Sequence, residues 1–153
     1  FFDMAKPYIE EVIKKDLDIK KIAGMVKSRI ETFLDIKEHI DFFEELPEYD
    51  LNMYEHKKMK TDMASSLETL EDILPLLKDF DDYTNDALYA KLSEYVNEKG
   101  VKTGFVMWPL RTALSGKQMT PAGATEILEV LGKEESIKRI EKGISLLKAA
   151  LGK

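Results

Sequence analysis

The chain has 153 residues, no cysteine, and 23 Lys plus Arg against 29 Asp plus Glu, for a formal net charge of −6. With 44% apolar and 34% charged residues it is rich enough in core-forming side chains to exclude disorder, and the lack of cysteine excludes disulfide scaffolds, Fe–S clusters and thiol nucleophiles. The longest apolar runs, 73–77 and 104–110, fall far short of the ~20 residues that span a bilayer.

Apolar residues recur at intervals of three and four throughout, and sustained alternation of β-branched residues is missing, so the expected fold class is all-α. Pro7 suits the first turn of a short helix presenting Ile9, Val12 and Ile13, and the 16–18 stretch can cap the next. That second helix is long, carries Ile22, Val26, Ile30 and Phe33 along one stripe, and ends or bends before Leu46-Pro47, because the residue before proline avoids the α region. A further helix is expected from about Met53, with Met59, Met63, Leu67, Leu70 and Leu74 in register and a kink or interruption at Pro75.

After the acidic break at 79–82, Thr84 or Asn85 caps a helix with Leu88, Leu92 and Tyr95 inward and Gly100 just past its end. Pro109 is expected to open a short helix closed by Gly116, and Thr120-Pro121 to start another that ends at Gly132. Ile137, Ile140, Ile144, Leu147 and Leu151 then mark the packing seam of the last helix. The expected architecture is two consecutive small helical bundles, residues 1–78 and 79–153. Charge also divides the chain: residues 1–78 hold 12 basic and 18 acidic side chains and residues 79–153 eleven of each, and within the latter residues 99–153 hold ten basic and five acidic. A local positive field of this kind steers contacts with a polyanion even when the total is acidic.

No catalytic or metal constellation is evident. His39 and His56 are 17 positions apart and neither belongs to a His-Glu-x-x-His arrangement, while Gly116-Lys117 lacks the upstream glycine and following Ser or Thr of a phosphate loop.

The stretch from Gly100 to Arg139 is more specific. It reads Gly100-Val101-Lys102-Thr103-Gly104, Trp108-Pro109-Leu110-Arg111-Thr112-Ala113-Leu114-Ser115-Gly116, Thr120-Pro121, and Leu131-Gly132-Lys133-Glu134 leading to Arg139. In order and spacing this resembles the C-terminal part of bacterial glutamyl-tRNA synthetases. Upstream, Arg29-Ile30-Glu31-Thr32-Phe33 followed by Phe42-Phe43, and the His56-Lys57-Lys58-Met59-Lys60 stretch, are similar to segments of the same class I enzymes, so the resemblance covers essentially the whole chain. The adenylate-forming signatures His-Ile-Gly-His and Lys-Met-Ser-Lys-Ser are missing. Lys58-Met59-Lys60-Thr61 is read as part of a helix and not as a remnant of the second. With Phe1 in place of an initiator Met, the chain is expected to be cut from a longer polypeptide.

What the resemblance implies is an anticodon-binding region that holds the anticodon loop of tRNA(Glu) while an N-terminal catalytic domain charges the 3′ end. By itself the chain is then not an enzyme and needs no cofactor; ATP and Mg belong to the parent glutamate–tRNA ligase. A cytoplasmic monomer without membrane contact is expected. Carried over by position, Arg29 matches the arginine that meets the first anticodon base, Arg111 that of Pro-Leu-Arg, and Thr120-Pro121 the turn that meets the remaining bases, with Gly123 and Trp108 beside them. Lys117, Lys133, Lys138 and Arg139 form an expected basic surround. Other roles suit the same residues: Arg29 can pair with a carboxylate one turn away, Arg111 can tie helices together through carbonyls, and Trp108 can pack. Two and three positions past Pro121 the family often has bulky apolar residues, where this chain has Gly123 and Ala124, which implies a remodelled corner. The competing function is a helical protein-interaction scaffold, its groove formed by the methionines at 53, 59 and 63.

Overall fold

The computed structural model describes residues 2–27 and 36–153. They form eight α-helices: α1 (Phe2–Val12), α2 (Ile19–Val26), α3 (Ile36–Glu44), α4 (Met63–Asp79), α5 (Asn85–Lys99), α6 (Thr103–Ser115), α7 (Ala124–Leu131) and α8 (Lys133–Leu151), with a 3₁₀ turn at Leu51–Tyr54. The all-α reading holds, and among the described residues β-structure amounts to one isolated bridge between His56 and Thr61. Arg29, Ile30 and Phe33 lie outside the described residues.

The helix ends follow local chemistry. Gly100, Gly116 and Gly152 close α5, α6 and α8 in the left-handed conformation, with φ of 73°, 63° and 72°. The Asp62 carboxylate accepts from Ser65 N–H at 2.7 Å, and Asp62 N–H donates to the Ser65 hydroxyl at 3.0 Å, a reciprocal cap that starts α4. After α1, the backbone N–H groups of Lys14 and Lys15 donate to Glu44 Oε1 at 2.8 and 3.0 Å. These two bonds hold the Glu44 carboxyl below its ordinary pKa and tie α1 to the end of α3.

Four sequence expectations about helix ends fail. Pro7 and Pro109 lie inside α1 and α6 instead of opening them, while α4 continues without interruption through Pro75. No helix runs from Met53: residues 55–62 make a tight loop, in which Lys60 takes a left-handed φ of 61°. The Lys58–Thr61 stretch is therefore loop and not helix. Likewise, α7 starts at Ala124 with Gly123 as its N-cap, three residues later than Thr120-Pro121 suggested.

Helix contacts run across position 78/79. α4 lies along α8, its most extensive partner, and also against α6, whereas α1, α2 and α3 pack on one another. The seam is apolar: Leu67, Leu70, Ile73 and Leu77 of α4 and Ile140, Ile144 and Leu147 of α8 are buried. α4 thus packs with helices that follow it in sequence. Lys15–Glu135, Lys21–Glu129 and Lys117–Asp41 ion pairs link the first three helices to the rest.

Candidate nucleic-acid interface

α6 organises the residues singled out by the sequence. Gly104, Trp108, Arg111 and Ser115 follow one another at steps of four, three and four, so they share one stripe of the helix. The Trp108 Nε1–H donates to the Met53 carbonyl at 2.7 Å, and its ring centroid lies 4.2 Å from that of His56 and 4.7 Å from the Arg111 guanidinium carbon. Trp108 is half-buried and braces the 53–61 loop against α6 while supporting Arg111 through a cation–π contact.

Arg111 reaches across the turn that follows α6. Its Nη1 donates to Thr120 Oγ1 at 3.1 Å and its Nη2 to the Gln118 carbonyl at 2.6 Å. Thr120, 6% exposed, in turn donates from Oγ1 to the Ala122 carbonyl at 2.6 Å. The turn is therefore internally held by the arginine fork, and Pro121 is buried beneath it. Its other end is fixed by Gly123, exposed, whose N–H donates to Glu126 Oε1 at 3.3 Å. At the near end Gly116 packs tightly on Tyr49 and Pro47, where a Cβ would lie 3.0 Å from the Tyr49 ring.

The outward residues of this turn are Gln118 and Met119, neither singled out by the sequence reading. Met119 is 81% exposed. An isolated methionine between two polar residues carries no helical period, and the only available signal was its place directly before Thr120-Pro121.

The basic surround differs from expectation. Arg139 is 2% exposed; its Nε donates to Glu135 Oε2 and its Nη1 to the Leu114 carbonyl, both at 2.7 Å, so it clamps α8 to the end of α6 and offers nothing to a surface ligand. Burial pushes the Glu135 carboxyl up, but the hydrogen bond and charge of Arg139 outweigh it and hold the group below its ordinary pKa. Lys117 pairs with Asp41 at 2.7 Å and Lys133 with Asp81 at 3.0 Å, while Lys138 is exposed on α8. The methionine groove is absent as well. Met59 packs its sulfur onto Gly104, Met63 sits against the core, and the exposed large apolar residues among those described (Met4, Tyr89, Met119, Leu146) are scattered.

Residues 1–144 match the family described as Anticodon binding domain. The chain belongs to that family. It is 52% identical over 151 residues to the glutamate–tRNA ligase of Lachnoclostridium phytofermentans, covering 99% of this chain and 31% of that protein. The glutamate–tRNA ligase of Clostridium tetani is 48% identical over 148 residues, covering 97% and 30%. Among solved structures, a glutamate tRNA ligase from Elizabethkingia meningosepticum superposes with a TM-score of 0.79 at 27% identity over 96% of this chain and 30% of that one. The glutamate-tRNA synthetase of Elizabethkingia anophelis gives 0.72 at 25% identity, covering 94% and 28%. The chain thus spans about 30% of the length of the curated relatives it matches. As an anticodon-binding domain, it has its braced 117–123 turn within the matched residues; the scaffold alternative finds no support.

Proposed function

We propose that this chain binds the anticodon loop of tRNA(Glu) and positions it for aminoacylation by a catalytic domain in the same polypeptide, a cytoplasmic ATP-dependent glutamate–tRNA ligase. ATP and Mg act in that catalytic domain, and the ligase works as a monomer. The observation that carries this reading is the 117–123 turn, held by the Arg111 fork with Gln118, Met119 and Gly123 outward. Unpaired loop bases are read when splayed out, stacked on flat or apolar side chains, and hydrogen-bonded on their edges. A prebraced turn supplies that surface at little ordering cost. Arg111 acts mainly by holding Gln118 and Thr120 in place. Thr120 and Pro121 keep the turn's shape, Trp108 backs the guanidinium, and Arg29 is assigned to the first anticodon base by position. Of the basic surround, Lys138 contributes local positive potential near the bound RNA, whereas Lys117 and Lys133 are engaged by Asp41 and Asp81.

The test is binding of tRNA(Glu) and of a tRNA with an unrelated anticodon to this chain at low salt. Met119→Ala, at a residue 81% exposed, is expected to weaken tRNA(Glu) binding by several-fold, about 1 kcal/mol for one lost base contact. Arg111→Lys is expected to cost more and to narrow the preference between the two tRNAs, because a single ammonium does not reproduce the fork. Equal affinity of the unsubstituted chain for both tRNAs sinks the anticodon reading.

A further inference from the structure

We propose that a cavity at the opposite end of α6, walled by Lys58, Lys60 and Lys102, is a second RNA contact that seats one nucleotide of the strand outside the bases met at the 117–123 turn. The proposal rests on the anticodon-loop reading above and extends it to the path of the RNA backbone. The cavity measures about 390 Å³, and Met59, Val101 and Phe105 form its apolar part. The three lysines set cations around an apolar floor, which matches a nucleotide: phosphate outward on ammonium groups, base against sulfur and ring.

Several features single this cavity out. Lys57, Lys58, Lys60 and Lys102 are exposed and make no ion pair among the described residues. Nearby Lys99, by contrast, reaches Glu68 at 2.7 Å and Asp72 at 3.4 Å. Collecting like charges without partners is unfavourable in a chain of net charge −6 that has acids to spare, unless an anion arrives to neutralise them.

The loop is also held firmly in this shape. His56 and Thr61 exchange backbone bonds at 3.1 and 3.2 Å, and Met59 N–H donates to His56 Nδ1 at 3.1 Å. Lys60 sits at a φ of 61°, costing roughly 1 kcal/mol for a residue with a Cβ. Gly104 has no side chain, and only for that reason does the Met59 sulfur rest on the first turn of α6. Trp108 joins the two ends of the helix, gripping the loop through the Met53 carbonyl and Arg111 through its ring. From position 102 to position 111 is about 13.5 Å along the axis at 1.5 Å per residue, a short path for a strand already held at the turn.

The test is a salt titration of tRNA(Glu) binding with three forms of this chain. The K58A/K60A/K102A variant is expected to bind roughly ten-fold more weakly at low salt, with the slope of log affinity against log salt reduced by about 0.7–1.4, since each lost single-strand phosphate contact removes about 0.7 and one seated nucleotide brings one or two flanking phosphates. K58R/K60R/K102R is expected to retain binding. K6A/K91A/K148A, which removes the same charge at lysines paired with Glu10, Glu94 and Glu71, is expected to stay within about two-fold. Equal losses in the cavity and control variants, or no loss in either, overturn the proposal.

A second measurement is independent of anticodon preference. Hexauridylate is expected to shift the Met59 methyl NMR signal, and inorganic phosphate or a polyglutamate peptide to leave it in place. No shift with hexauridylate, or an equal shift with the peptide, also overturns it. Equal binding of unrelated tRNAs with a Met59 shift intact removes only the anticodon reading.

Discussion

Gly143 lies in the middle of α8, where alanine is intrinsically the better helix former by about 0.5–1 kcal/mol. Here the substitution Gly143→Ala is expected to destabilise. A Cβ at this position would lie 2.8 Å from Tyr54 Oη, 3.3 Å from Ala113 Cβ and 3.6 Å from Leu70 Cδ1. The Tyr54 hydroxyl has little room to retreat: the residue is fully buried and its oxygen shares a 2.8 Å hydrogen bond with Tyr49 Oη. Overpacking of this kind costs about 1–3 kcal/mol, and straining the hydroxyl bond adds up to ~1 kcal/mol. Set against the helix-propensity gain, the net loss is about 1–2 kcal/mol, or about 2–8 °C in Tm at this chain length. Tyr54→Phe alone is expected to cost about 1 kcal/mol by removing the hydroxyl pair. Combined with Gly143→Ala, it opens the space that the new methyl needs, so the double variant should be more stable than the sum of the singles by about 1 kcal/mol. Urea unfolding followed by far-UV circular dichroism supplies the cycle. Additivity within about 0.5 kcal/mol, or a net gain from Gly143→Ala alone, would refute the claim that Tyr54 sets the space beside α8.

Arg139→Ala is expected to lower stability by about 3 kcal/mol in the same assay, because it strips the Leu114 carbonyl and Glu135 of their buried partner. Exchanging both partners together, as Glu135→Leu with Arg139→Met, should recover most of that loss. Glu135→Gln tests the pH dependence: with the folded pKa held below the ordinary 4.5, the carboxylate's contribution is complete above that value and disappears as pH falls through the folded pKa. The stability difference between the unsubstituted chain and this variant should therefore shrink below about pH 4.5, and a constant difference down to pH 3 would rule the linkage out. Gly104→Ala drives a Cβ into the Met59 sulfur and should displace the 56–61 loop, seen as a change in the fluorescence of Trp108, the chain's sole tryptophan, with helix content unchanged.

The features legible in the sequence are those decided within a few residues. The glycines that end α5, α6 and α7 mark real helix ends because their φ values of 73°, 63° and 82° are costly for other residues. The Ile140, Ile144, Leu147 seam is likewise buried as its spacing requires. Pro109 misled because a missing N–H costs one hydrogen bond, whereas α6 buries Val106 before it and Leu110 and Leu114 after it. The 53–63 segment misled in the opposite direction: its methionines fit a helical stripe, but Lys60 in the left-handed region and the Thr61 hydroxyl bonded to the Tyr54 carbonyl at 2.7 Å close a loop instead. Resemblance located Arg111 and Thr120, yet their mutual bond spans nine positions and a turn that local pattern does not describe. Arg139 had a weak local signal, a glutamate four residues before it on the edge of an otherwise apolar seam.

Charge shows most clearly how far sequence position differs from surface. The five-charge excess of residues 99–153 reads as a polyanion-facing third, but much of it is neutralised from elsewhere in the chain. Lys99 pairs with Glu68 and Asp72, Lys117 with Asp41, Lys133 with Asp81, and Lys148 with Glu71. The acids involved come from residues 41–81, so part of the acidic surplus of the early chain is matched against the basic surplus of the late chain. Meanwhile Lys58 and Lys60 belong to the nominally acidic half, and the fold delivers them to the start of α6 beside Lys102. Electrostatic steering depends on where unpaired charge gathers and not on the total over a stretch of sequence. An acidic chain can in this way present a basic face, provided that some of its lysines are kept from its own carboxylates. The nearby carboxylates of α4 are engaged elsewhere: Glu68 and Asp72 by Lys99, and Glu71 by Lys148.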